Sequence, residues 1–148
     1  ATAMSEPSVP GDHPPRALPA HVASVLADAP GRAVFLHCPL VVWIADAEGQ
    51  VRELGPAWTA HTGAATTAGL GAGWLAWVHP DDRAPLVAAL AEARARAASE
   101  EAVGEADVDV RYRLRRADGR YGWLRLRARP ERGDAGAPEA WYGWSEDV

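Results

Sequence analysis

The chain has 148 residues with a formal net charge of -5, a length suited to one domain, or one domain with a tail. Hydrophobic residues at 48% suffice for a core, and charged residues at 24% are ordinary for a soluble protein. The lack of any run of about 18 apolar residues excludes a helical membrane span, and the acidic balance argues against a general nucleic-acid binder.

All fifteen basic residues are arginine. The single cysteine, Cys38, has no partner for an internal disulfide, which suits a reducing compartment and sets a cytoplasmic expectation. Residues 1–19 carry five prolines and almost no apolar residues. They read as an extended or disordered leader without the basic-then-apolar pattern of a secretory signal, with Ala1–Ala3 ahead of Met4 a cloning remnant. Residues 20–38 form a helical segment. Val22, Val25, Leu26 and Ala29 share one helical face of a first helix, His21–Ala29, which Pro30-Gly31 closes. "RAVFLHCP" makes a second short helix ending before Pro39.

Residues 39–148 form the main domain. "LVVWIADAEGQVREL" places two β-rich runs around "AEG", a hairpin with Gly49 at positive φ. From Gly55 to His79, "TG", "GLGAG" and "HP" break the chain into one-turn helices and loops that carry Trp58, Trp74 and Trp77. "GLGAG" lacks the preceding strand and following Lys-Ser/Thr of a phosphate-binding loop; it reads as a connector, with a lid as the alternative. "DDRAPLVAALAEARARAASEE" is the long helix, with Asp81 as N-cap, Pro85 near enough to the start to be tolerated, and an inner stripe of Leu86, Leu90, Ala93 and Ala97. Three strands follow, roughly Ala106–Arg116, Arg120–Arg129 and Glu139–Glu146. Hairpins separated by helices give an α+β class, an antiparallel sheet with its helices gathered on one face.

"VRYRLRRADGRYGWLRLRARP" holds more than half of the arginines around one turn. A two-residue loop, Asp118-Gly119, mixes polar and apolar side chains on both faces. A three-residue loop, Ala117-Asp118-Gly119 with Gly119 in the left-handed region, separates them. Val108, Val110, Tyr112, Leu114, Leu124, Leu126 and Ala128 then share one face. Arg111, Arg113, Arg115, Trp123, Arg125, Arg127 and Arg129 share the other with Asp107 and Asp109. This register sets Asp109 opposite Arg127, Asp107 opposite Arg129, and Arg113 beside Trp123 at cation–π distance. Acidic partners within the sheet turn the reading away from a nucleic-acid grip.

The five histidines are too scattered for a metal site. "VHPDD" reads as a helix-entry device around His79, and neither a Ser–His–Asp set nor another catalytic constellation is evident.

In order and spacing, "PLVVWIADAEGQV", "AWTAHTG", "W..WVHPDDR", the arginine hairpin and "WYGWSEDV" resemble a PAS domain of the bacterial sensor type, over about Arg32 to Val148. The resemblance implies a five-stranded antiparallel sheet in spatial order 2-1-5-4-3, with short helices and one long helix on one face, to which the apolar stripe above adds an N-terminal helix. It implies a pocket between that face and the helices, no enzymatic activity, and a regulatory role toward an output module such as a histidine kinase or a cyclic-dinucleotide enzyme. Candidate pocket residues are Trp43, Trp58, His61, Trp74, Trp77, Leu90, Tyr112, Leu126 and Trp141, suited to a small apolar or aromatic ligand; the alternative is that these rings fill the space and leave an interaction module. Candidate dimer or partner residues are Val22, Val25, Leu26, Arg113, Trp123, Arg125 and Trp144. Asp147 is the signal exit. The sequence departs from the family where Gly55 follows the second strand, where Trp144 replaces a small polar residue, and where the terminal motif is Asp147-Val148. The cysteine motif of flavin-adduct photoreceptors is absent, and the long helix carries no haem-ligating histidine, so the cofactor is left unassigned.

Overall fold

The computed structural model describes residues 29–98, 108–133 and 136–148. The leader, the stripe of Val22, Val25 and Leu26, and Asp107 lie outside the described residues. In chain order the elements are α1 (Ala29–His37), β1 (Val41–Asp46), β2 (Val51–Leu54), α2 (Ala57–Thr62), two 3-10 turns (Thr66–Gly69 and Gly73–Trp77), α3 (Pro80–Ala98), β3 (Val108–Arg115), β4 (Tyr121–Arg132) and β5 (Pro138–Asp147). The five strands form one antiparallel sheet in the order β2-β1-β5-β4-β3, as expected.

The arginine hairpin takes the three-residue loop. The Arg116 N–H donates to the Arg120 carbonyl at 2.7 Å, and Gly119 sits at φ 84°. Tyr112 therefore faces Leu124, Val110 faces Leu126 and Arg113 faces Trp123. Val108, Tyr112, Leu114, Leu124, Leu126 and Ala128 are buried in one core with Leu86, Ala93 and Ala97 of α3. Because side chains alternate along a strand, burying that set leaves the arginines outside. Asp109 lies opposite Arg127, as expected, but its ion pair is with a diagonal neighbour. Asp109 bonds Arg125 rather than the directly opposite Arg127, with Arg125 Nε donating to Asp109 Oδ1 at 2.7 Å. The diagonal neighbour lets the guanidinium meet both carboxylate oxygens, while Arg127 lies 5.9 Å from the Trp144 ring.

Two helix boundaries are corrected. Pro30-Gly31 does not close a helix: α1 runs through both, since a proline in the first turn removes an N–H that has no intrahelical partner anyway. Asp81 is not the N-cap of α3. The helix begins at Pro80, and the Asp81 N–H donates to His79 Nδ1 at 3.1 Å, which leaves Asp82 free for another task.

That task is to fasten α3 to β3. Asp82 accepts from the Arg113 backbone N–H at 2.9 Å, from Arg113 Nε at 2.9 Å and from Nη2 at 2.8 Å. The His79 N–H donates to the Arg113 carbonyl at 2.9 Å, and Val78 bridges Leu114, so the helix entry also occupies the free edge of β3. The other end of α3 is held where Arg132 Nη1 donates to the Ala97 carbonyl at 2.9 Å, a cation on a helix C-terminus. α1 packs on the outer face of the sheet, where Phe35 meets Ile44, Tyr142 and Ala140.

Bonding to Arg113 holds the Asp82 carboxyl below its ordinary value of 3.8. A lowered folded-state value means that this stabilisation is complete above 3.8 and is lost as pH falls through the folded value. Asp82→Asn therefore lowers the urea midpoint at neutral pH, and the gap to the native chain narrows as acid protonates Asp82; paired urea melts down the acid range measure it. A Cβ on Gly119 meets nothing within 4 Å, so Gly119→Val tests the backbone alone and costs about 1–2 kcal/mol, with Gly119→Asn costing less in the same melt.

Candidate functional site

Between the apolar face of the sheet and the helices lies a cavity of about 50 Å³. Where one ordered water takes ~10–15 Å³, that is space for a few water-sized groups. Its walls come from every layer of the domain: Trp43 and Ala45 on β1, Trp58 on α2, Trp74 on the second 3-10 turn, Leu90 and Arg94 on α3, Tyr112 on β3, Leu126 on β4, and Trp141 and Ser145 on β5. Trp43 lies over the neighbouring strand because residue 143 is glycine; a methyl there would collide with its ring. Trp58 is buried and meets the Trp77 ring edge-on at 5.3 Å, so these rings take up much of the room that smaller side chains would leave.

The polar groups at the walls are few. Tyr112 Oη and Ser145 Oγ share a hydrogen bond of 2.8 Å. Burial pushes the Tyr112 hydroxyl up to about 12, against the lowering effect of Ser145, so it stays a neutral phenol in the physiological range. The Trp141 indole N–H is buried without a partner. Arg94 Nη1 donates to the Glu48 carbonyl at 2.7 Å, joining α3 to the β1–β2 turn, while its Nε is buried without a partner. That turn is shaped by buried Asp46, whose Oδ1 accepts from the N–H groups of Glu48 at 3.0 Å and Gln50 at 2.9 Å, with Gly49 at φ 86°. The lining residues include no carboxylate and no histidine. The arrangement can hold a molecule by shape, with the Tyr112–Ser145 hydroxyl pair among its lining residues; it places no acid beside a base.

The structure brings seven of the candidate pocket residues together around this cavity: Trp43, Trp58, Trp74, Leu90, Tyr112, Leu126 and Trp141. His61 and Trp77 are elsewhere. On α2 the buried residues are Trp58 and Thr62, four apart, so His61 is turned toward the β3–β4 turn, where its carbonyl accepts the Ala117 N–H at 2.9 Å. Burial lowers the imidazole pKa; nearby Asp147 raises it and Arg116 lowers it further. Trp77 lies behind Trp58, with the Arg115 guanidinium 5.8 Å from its ring. Ser145, Arg94 and Gly49 also line the cavity, as do Val41, Ala45, Val51, Leu54 and Val108, none of them among the candidate pocket residues. Ser145 was legible, since it alternates with Trp141 and Gly143 on one strand face. Arg94 follows Leu90 by one helical turn, but its charge pointed to solvent.

On the outer face, Trp123 is 49% exposed with the Arg113 guanidinium 5.0 Å from its ring. Trp144 is half-buried opposite Val42, on the face away from Trp141 as the odd spacing requires. Asp147 pairs with Arg116 at 3.3 Å. Cys38 is half-buried and does not line the cavity. Among the described residues no three His, Cys, Asp or Glu side chains converge as a metal requires, and no helix is long and apolar enough to cross a membrane.

Comparison with known proteins agrees with this architecture. The PAS fold family model matches residues 53–144. An uncharacterized protein of Sinorhizobium fredii, y4lL, is 43% identical over 110 residues, 74% of this chain but 12% of that protein, so the chain spans about an eighth of its relative's length. Two similar solved structures are the PAS domain of a Colwellia psychrerythraea protein (14% identity, 79% of this chain and 92% of that chain, TM-score 0.63) and the N-terminal domain of a diguanylate cyclase with PAS/PAC sensor from Marinobacter aquaeolei (23% identity, 73% and 94%, TM-score 0.59). With the family model covering more than half of its length, and with the strand order and helical cover described above, the chain belongs to the PAS family.

Proposed function

We propose that this chain is a non-catalytic sensory or regulatory domain that takes a small ligand in its cavity and passes the change to an output module through rearrangement of a homodimer. The cavity carries the reading. It is apolar, and the side chains around it sit on the same strands as the outer-face residues Arg113, Trp123, Arg125 and Trp144. A strand that shifts to admit a ligand at Tyr112, Leu126 or Trp141 also moves its alternate side chains on the far face. Asp147, at the end of β5 and paired with Arg116, is the exit toward the output module. Likeness to the N-terminal domain of a diguanylate cyclase supports an output of the cyclic-dinucleotide kind; a histidine kinase is the alternative output, and the proposed setting is the cytoplasm.

A second reading is an interaction module without a ligand. It is favoured by the tryptophans that narrow the cavity and by the exposed ring of Trp123, whose kind anchors protein interfaces.

Native mass spectrometry of the purified protein, with an absorption spectrum, separates the two. The sensor reading expects a small bound mass, or uptake of one from a library of compact apolar compounds, and a spectrum with no visible band. A chain that binds nothing supports the interaction module, and a coloured protein contradicts both. Dimerisation through the outer face and the His21–Ala29 segment expects twice the chain mass by light scattering, and Trp123→Asp weakens that dimer tenfold or more, at about 1.4 kcal/mol per decade. A monomer at high concentration removes the dimer from the account.

A further inference from the structure

The cavity wall is not equally deep on all sides. Val41, Ala45, Trp58, Tyr112, Leu126 and Trp141 are buried, whereas Trp43, Gly49, Trp74, Leu90 and Arg94 keep partial exposure. The partly exposed residues mark where the cavity comes nearest to solvent, and Arg94 of α3 meets Gly49 of the β1–β2 turn there. The Arg94 stem runs so close that a Cβ added to Gly49 would stand 3.6 Å from its Cδ and 3.8 Å from its Nε. Its Nη1 donates to the Glu48 carbonyl at 2.7 Å. The two backbones that this side chain joins are held by bonds of their own. In the turn, Asp46 Oδ1 accepts from the Glu48 and Gln50 N–H groups, the Gly49 N–H donates to the Asp46 carbonyl at 3.0 Å, and the Asp46 N–H donates to the Gln50 carbonyl at 2.9 Å. The helix is tied near its ends, by Asp82 to Arg113 and by the Ala97 carbonyl to Arg132. Between them the easiest motion is that of the arginine side chain. An exposed side chain turns in picoseconds to nanoseconds, far faster than a packed helix shifts. Swung outward, the guanidinium keeps its charge in water, and water takes its place on the Glu48 carbonyl. Gly49, at φ 86°, has no side chain to block the space left behind.

We infer that the Arg94 side chain is the latch of the cavity: bonded to the Glu48 carbonyl it bars the way in beside Gly49, and turned out to solvent it opens that way without unfolding α3 or the β1–β2 turn. This rests on the reading of the cavity as a ligand site and adds how that site is entered.

The test measures xenon exchange with the whole chain by saturation-transfer NMR of the xenon nucleus, with the affinity taken from the dependence on xenon pressure. Arg94→Met keeps an apolar stem and loses the hydrogen bond; Arg94→Lys keeps a donor for the Glu48 carbonyl. The expected result is that Arg94→Met raises the entry and exit rates together by about tenfold, the lower end of what a hydrogen bond from a charged group is worth, and leaves the dissociation constant within about twofold of native. Arg94→Lys stays near the native rates. Should the methionine variant fail to fold, Arg94→Gln, whose amide is too short for the same reach, takes its place. Unchanged rates with xenon still bound overturn the latch while leaving the cavity a ligand site. A faster exit at an unchanged entry rate also overturns it, since Arg94 is then a wall that holds the occupant rather than a bar across the entry. Exchange in Arg94→Lys as fast as in Arg94→Met overturns the hydrogen bond as the cause. Xenon bound by neither the native chain nor the variants overturns both the latch and the ligand-site reading.

Discussion

The register of the β3–β4 hairpin is the constraint on which the rest of the domain depends. Arg116 and Arg120 close a loop of three residues, and Gly119 at φ 84° turns it. A slip of one residue would exchange the two faces of a strand, moving Tyr112 and Leu126 from the cavity wall to solvent and bringing arginines against α3. As the chain is built, Leu114, Leu124 and Leu126 are almost wholly buried, and the charged face is met by water, by ion pairs with Asp82 and Asp109, and by the rings of Trp123 and Trp144.

The helix that roofs the cavity is held by side chains rather than by hydrophobic contact alone. Asp82 grips Arg113 at one end of α3, Arg132 holds the Ala97 carbonyl at the other, and Arg94 reaches the β1–β2 turn between them. Buried Leu86, Ala93 and Ala97 supply the apolar contact. Alanines at two of these points let the helix approach the sheet closely, and Leu90 meets the gap that the tryptophans leave. Small and large residues are set opposite each other on the sheet as well, where Gly143 makes room for Trp43. The cavity is what remains after that fitting.

Much of this was legible in the sequence, because strand alternation and turn chemistry are local. Gly49 and Gly119 follow from turn chemistry, and the burial of Tyr112 with Leu124 and Leu126, the stripe of α3 and the opposite faces of Trp141 and Trp144 follow from periods of two or 3.6. The errors arose where rotation or tertiary bonding decides. His61 and Trp77 sit among the right tryptophans in sequence, but helical rotation carries one to the β3–β4 turn and places the other behind Trp58. Asp81 looked like a cap because aspartate commonly is one, whereas His79 does the capping and Asp82 bonds a strand 31 residues away. Arg94 was overlooked since a charge on a helix usually marks solvent, and nothing local reveals that it reaches Glu48, 46 residues before it.

The central claim is that the space between the apolar sheet face and α3 is hollow and open to a compact apolar occupant. Xenon, spherical and uncharged, reads that property without assuming any particular ligand chemistry. Diffraction from crystals pressurised with xenon should show an ordered atom bounded by Trp43, Tyr112, Leu90 and Trp141. Crystals that take up xenon elsewhere, or not at all, with the tryptophan rings closed over this position, would contradict the account.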